Sequence, residues 1–207
     1  MERNKAEAKR YYEAALKLDS KLEGAQKGLE RFQSNMQQAD IEFEYASSNE
    51  WLVIHTIANK TWPIVYGKMI SNEQLMYMLE LIYSESAIKT QMEVMKHEYI
   101  LGLQEKKPFG FTSIQQHFKE PNQLIIHKLY VLPEYQGNGL GKAFLDYTTE
   151  LAIKTNHDIL CLKAFHKNAR AIAFYQNMGF SINGEEKTDI GKGYEILDYI
   201  MTKKVGT

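Results

Sequence analysis

A chain of 207 residues is long enough for one sizeable α/β domain plus a small appendage. Its 44% hydrophobic and 25% charged residues are ordinary globular composition, and its one cysteine excludes an internal disulfide. A formal net charge of −1 excludes a strong overall field, so neither nucleic acid nor an anionic membrane surface is an expected partner.

The first residues, "MERNKAEAKRYYEAALKLD", are charged throughout and lack an apolar signal core, and no run reaches the length of a spanning helix. The expected location is the cytoplasm. Six scattered histidines form no metal-ligand spacing, so no metal is expected. Cys161 lies in the apolar run "ILCLKAF" and reads as a buried, inert thiol.

Residues 1–39 form the first expected unit, a helical hairpin. Ala8, Tyr11, Tyr12, Ala15 and Leu18 make one apolar stripe, and Leu22, Ala25, Leu29 and Phe32 make another, with "LDSK" between them. Ala8, Tyr12 and Ala15 resemble the second helix of a tetratricopeptide repeat, although Ser20 stands where a proline is usual. One such unit does not bury its own face, so it packs on the main domain or on another chain, which makes a homodimer one reading.

The second unit is expected over residues 40–207. "IEFEYAS" alternates as a strand. A helix follows from "SSNEW" until Pro63 interrupts it, and Ser71 with Gln74 signals the start of another in "SNEQLMYMLELIYS". "SESAIKTQME" continues that helix or loops. "EYILGLQEK" and "PFGFTSIQQHFK" read as strands around a turn at Lys107–Pro108, and "NQLIIHKLYVL" is the strongest strand of all. The helix "GKAFLDYTTELAIKTN", the strand "DILCLKAF", the helix "NARAIAFYQNMG" and two final strands complete the order β-α-α-β-β-β-α-β-α-β-β.

Between the strongest strand and its helix lies "VLPEYQGNGLGKAF". It is no Walker loop, because Ala143 follows Gly141-Lys142 where a magnesium-binding hydroxyl is needed, and Gln136 replaces the first glycine. It is no dinucleotide loop either, because the last spacing in Gly137, Gly139 and Gly141 is short. What remains is a glycine turn that offers free amides at a helix N-terminus. Such a turn is a seat for a pyrophosphate without magnesium, or simply a tight connection.

The second motif, "NARAIAFYQNMGF", completes a resemblance. Gln136-Gly137-Asn138-Gly139-Leu140-Gly141 is similar to the [QR]-x-x-G-x-[GA] signature of the GNAT superfamily of acyl-CoA-dependent N-acetyltransferases. Asn168, Ala171, Phe174, Tyr175, Gly179 and Phe180 are similar to its N-x-x-A-x-x-F-Y-x-x-x-G-F motif. The resemblance covers residues 41–205. "TWPIVYGKMISNEQLMYML" and "DIGKGYEILDYIM" look most like the spermidine-acetyltransferase branch.

The resemblance implies an α/β (α+β) fold, a mixed twisted sheet with two splayed parallel strands flanked by helices. It implies acetyl-CoA as cofactor, with pantetheine along Leu129, Tyr130 and Val131, and pyrophosphate on the amides from Gln136 to Lys142. Lys142 adds charge there or is a solvated helix-start lysine. Asn168 bonds the pantetheine or orders its loop, and Ala171, Phe174 and Tyr175 line the cofactor. The N–H near Val131 is the expected oxyanion donor, and Tyr175 the expected general acid for the departing thiolate. The glutamate many relatives carry on this strand is missing. His127, read as sharing a face with Leu129 and Val131, is the candidate base, with a water chain as the alternative.

Trp62, Tyr66 and Tyr77 are expected aromatic walls for the acceptor, and Glu80, Glu85 and Asp198 expected attractors of a cationic amine. The implied reaction is acetyl transfer to a primary amine of a small, polyamine-like molecule. The alternatives are a protein N-terminus or lysine as acceptor, and a catalytically silent acyl-CoA-binding adaptor.

Overall fold

The structure, a computed structural model, describes residues 41–206 and, before them, Ala14, Lys17, Gly24, Gln26 and Lys27, all helical. The chain divides into two compact units, Met1–Ile41 and Glu42–Thr207. The expected hairpin and its apolar stripes lie outside the described residues.

The elements run β1 (Ile41–Ala46), α1 (Trp51–Tyr66), α2 (Asn72–Tyr83), α3 (Glu85–Glu93), β2 (Glu98–Gln104), β3 (Lys107–Gln115), β4 (Gln123–Val131), α4 (Leu140–Lys154), β5 (Ile159–Phe165), α5 (Ala169–Asn177), β6 (Ser181–Gly191) and β7 (Tyr194–Lys204). They build a seven-stranded sheet of order β1-β2-β3-β4-β5-β7-β6. β4 and β5 pair in parallel, whereas β2–β3, β3–β4, β5–β7 and β6–β7 are antiparallel. This is the mixed, helix-flanked sheet expected from the sequence.

Alternation along the strands sends side chains to two cores. Tyr99, Leu101 and Phe111 pack with Ile54, Trp62, Leu79, Tyr83 and Ile88 of α1–α3. Ile100, Ile114, Leu124, Ile126, Leu160 and Leu162 pack with Leu145 and Ala152 of α4, and with Phe174 and Tyr175 of α5. Cys161 is buried on β5, and burial pushes its thiol up. Among the described residues no helix is long and apolar enough to cross a membrane.

Three local expectations change. α1 runs through Pro63 to Tyr66 and ends where Gly67 N–H donates to Pro63 O. Proline removes one backbone donor, and the packing of Trp62 on Tyr66 and Tyr83 outweighs that loss. Ser84, with ψ 158°, separates α3 from α2 as a helix of its own. The β2–β3 turn is at Glu105–Lys106, both at positive φ, instead of at Lys107–Pro108. Two positive-φ residues give the twist that a two-residue hairpin needs. Pro108 sits beside the register shift at Gly102/Leu103, where its missing N–H breaks no regular ladder.

Gly102 marks where β2 approaches the aromatic core most closely. A Cβ there would lie 2.4 Å from Phe109 Cζ and 2.6 Å from Phe144 Cζ. Gly102→Ala is expected to destabilise the fold by about 1–3 kcal/mol, read as a lower urea midpoint; an unchanged midpoint would show that these rings yield freely.

Candidate active site

The parallel pairing of β4 with β5 runs from Gln123↔Ile159 to Ile126↔Leu162 and stops there. Both strands continue, so they part. In an antiparallel ladder, alternate residues turn their backbone groups away from the partner strand. Leu132 N–H donates to Phe109 O at 2.8 Å, and the register continues Gly110↔Val131, Phe111↔Tyr130, Thr112↔Leu129. Leu129 and Val131 therefore turn their N–H groups away from β3 and into the gap. Val131 O is taken by Gln136 Nε2 at 2.9 Å, which ties the following turn back to the strand.

A register shift between Ser113 and Ile114 makes His127 the extra residue of β4. That bulge corrects the expected alternation. Leu129 packs in the core beside α4, but His127 stacks on His97, ring centroids 3.9 Å apart, next to Lys128, whose Nζ reaches Gln91 of α3. His127 therefore does not share a face with Leu129.

The glycine turn enters α4 with Gly137 at φ 83° and Gly139 at φ 77°. A Cβ at either would meet nothing within 4 Å, so backbone conformation alone calls for glycine. Gly139 is the N-cap and has no side chain with which to cap, so the first amides of α4 are left for another acceptor. A Cβ on Gly141 would lie 3.4 Å from the Phe174 ring, which shows how closely α4 and α5 pack. Lys142 pairs with Asp146 at 2.5 Å, and Asn138 donates to Tyr135 O at 3.4 Å within the turn. Asn168 is buried and caps α5, its Oδ1 accepting from Ala171 N–H at 3.1 Å.

A cavity of about 410 Å³ follows this path. It brings together the expected residues Leu129, Tyr130, Val131, Gln136, Gly137, Gly139, Leu140, Gly141, Lys142, Asn168, Ala171, Phe174 and Tyr175, but not Asn138. Burial, and next the nearby Tyr66, push the Tyr175 hydroxyl well above its ordinary pKa, so it stays protonated.

A second cavity, also about 410 Å³, opens beneath α1–α3. The two share Tyr66, Ile126, His127, Lys128, Tyr130, Lys163 and Phe165, so they meet where β4 and β5 part. Trp62, Tyr66 and Asp198 all line the second cavity, whereas Tyr77, Glu80 and Glu85 do not. Tyr77 instead donates to Ile190 O at 2.6 Å, and Glu85 pairs with Lys89. Tyr66 and Tyr130 join their hydroxyls at 3.2 Å. Asp198 stands opposite Phe165 on β7, and burial raises its carboxyl against the pull of Lys163. Lys163 is ion-paired with Glu186, which also meets Lys119 at 3.5 Å.

His127 does not titrate near neutrality. Burial first, then His97 and Lys128, push it down to about 3, and burial and Lys128 push His97 down to about 4. Sequence reasoning passed over Lys128, although a lysine inside the most apolar strand was a signal. Burial pushes it down to about 7. Nζ donates to Gln91 Oε1 at 2.5 Å and lies 5.3 Å from the Tyr99 ring centroid.

Residues 52–180 match the sequence model of the acetyltransferase (GNAT) family. An uncharacterised N-acetyltransferase of Mycobacterium tuberculosis is 22% identical over 149 residues, 72% of this chain and 94% of its own length. The peptidyl-lysine N-acetyltransferase YjaB of Salmonella typhimurium is 33% identical over 75 residues, 35% of this chain and 47% of its own. The fold is that of the PaiA N-acetyltransferase from Thermoplasma acidophilum, crystallised with coenzyme A. That structure gives a TM-score of 0.66 at 21% identity and covers 79% of this chain and 98% of its own.

Below pH 6.5 an unfolded chain protonates both histidines, while the folded chain resists down to about 4 and about 3. Unfolding then takes up protons, so these groups lower stability as pH falls through that window. His127→Phe, which keeps an aromatic ring against His97, is expected to lose less Tm than the wild type between pH 7 and 4.5. An equal loss would remove His127 from the acid response.

Proposed function

The chain belongs to the GNAT family of acetyltransferases, and on that premise we propose that it moves an acetyl group from acetyl-CoA directly to a primary amine of a small molecule. The observation that carries this reading is the meeting of two cavities at the parting of β4 and β5. One cavity begins at free helix amides and runs along an open strand edge. The other is walled by aromatics and holds Asp198.

The donor cavity fits the cofactor on its own chemistry. The α4 amides accept a pyrophosphate without magnesium, and the Leu129 and Val131 backbone groups suit the amides of a pantetheine arm. When bound, acetyl-CoA supplies an activated acyl carbon. Val131 N–H, turned into the gap, stabilises negative charge on the carbonyl oxygen. Tyr175, held protonated, gives its proton to the sulfur.

In the acceptor cavity Asp198 seats an ammonium, and the amine's methylene chain lies along Ile70, Met78 and Ile82. A polyamine-like molecule suits these walls at one end. Asp198 is the one carboxylate lining the cavity among the described residues, so a second ammonium lies outside. Lysine side chains of a protein are the second reading. The half-exposed Leu81 and Met95 line the same cavity and form an apolar contact for a peptide.

Calorimetric titration with acetyl-CoA, followed by thiol release over polyamines, monoamines and lysine peptides, tests the reading. Turnover on one amine class supports it and chooses between the acceptors; binding without turnover on any of them favours a silent adaptor. Gly139→Asp puts a carboxylate beside the pyrophosphate seat and is expected to weaken acetyl-CoA binding at least about tenfold. Unchanged affinity would refute that seat. Tyr175→Phe is expected to lower kcat about 10²-fold with cofactor affinity retained. An undiminished kcat would take Tyr175 out of the reaction.

A further inference from the structure

The acceptor nitrogen must lose a proton as it is acylated, and the strand carries no glutamate to receive it. His127 is a weak receiver, because burial first, and then the stacked His97 and the neighbouring Lys128, oppose its charge. Asp198 lines the acceptor cavity alone. Lys128 lines both cavities, at the level where they join.

Its surroundings keep the amine group in place without neutralising it. Gln91 Nε2 is anchored on Ile82 O at 2.7 Å, and Gln91 Oε1 accepts from both Tyr99 Oη at 2.8 Å and Lys128 Nζ. A carboxamide oxygen orients Nζ but lends it no counter-charge. No carboxylate pairs with Lys128 among the described residues. The charged and titratable groups that line the two cavities with it include His97, His127, Tyr130, Lys163, Tyr175 and Asp198, and the Tyr99 ring lies against it. Tyr66 and Tyr83 complete the lining, and both stay protonated because burial raises them.

We propose that Lys128 is the general base of the transfer, its neutral Nζ taking the proton that the acceptor nitrogen sheds. This rests on the transferase reading above. The acceptor loses its first proton to solvent on entry. Its nitrogen lone pair forms the bond to the acetyl carbon, and the proton then made acidic passes to Nζ. The carbon–sulfur bond breaks with its electron pair on sulfur, which takes the Tyr175 proton. The Lys128 ammonium returns a proton to the Tyr175 phenolate through the shared donor cavity. The sum is an amide and a free thiol, with both side chains restored. Burial that brings Lys128 down to about 7 makes its neutral form accessible near neutral pH, which suits a base.

Two substitutions test this. Lys128→Arg keeps a cation and donors but never deprotonates, and Lys128→Met keeps length without either. Both are expected to lower kcat by about 10²–10⁴-fold. The inflection near pH 7 in the wild-type kcat/KM profile should vanish in both, leaving only the limb that the acceptor amine's own ionisation gives at higher pH. Acetyl-CoA affinity within about threefold of wild type verifies folding in both, and the methionine variant is expected to have a Tm no lower at pH 7, since it removes a buried amine that has no counter-ion. An arginine variant with wild-type kcat, or a methionine variant that keeps the inflection near pH 7, would overturn the assignment. If the wild type acetylates no amine, the transferase reading falls and the role of Lys128 with it; an active wild type with unaffected variants removes only the role of Lys128.

Discussion

The parting of β4 from β5 is the constraint on which the rest of the site depends. Backbone N–H groups inside a fold must find partners, and an open edge between two parallel strands leaves those of Leu129 and Val131 without a neighbouring strand. A ligand with its own amides and carbonyls meets that demand better than water does. The gap also joins the two sides of the sheet, so the cavity beside α4 and the cavity beneath α1–α3 meet at one level.

The turn after β4 is adapted to the same gap. Gln136 ties itself to Val131 O, the left-handed Gly137 and Gly139 reverse the chain, and α4 starts with its amides uncapped. Gly141 lets α5 approach, which brings Phe174 and Tyr175 to the donor cavity. The aromatic cluster of Trp62, Tyr66, Tyr83 and Tyr130 holds α1 and α2 against β4 on the opposite face.

Protonation in this site is decided chiefly by burial. Tyr175 is held protonated, while Lys128, His97 and His127 are all driven toward their neutral forms. His97 and His127 therefore add no positive charge to the site near neutral pH, and burial weakens that of Lys128. The cost of burying the amine group, without a counter-ion, is borne by the rest of the fold.

The sequence by itself determined the glycine turn, helix α5 and the order of elements along the chain, because each has a short-range signature in spacing or period. It therefore also led to the donor half of the site, where neighbours in sequence are neighbours in space. Of the residues chosen for the acceptor, only Trp62, Tyr66 and Asp198 line the cavity beneath α1–α3. Tyr77 and Glu85, chosen on residue type, turn to other partners. The proposed base is the clearest case of what tertiary structure decided. One extra residue in β4, set by its pairing with β3, moved His127 off the expected face and onto His97. Gln91, 37 positions before Lys128 in the chain, holds the lysine that no local pattern marked as functional. A bulge and a long-range hydrogen bond leave no periodic trace, so only the folded chain reveals them.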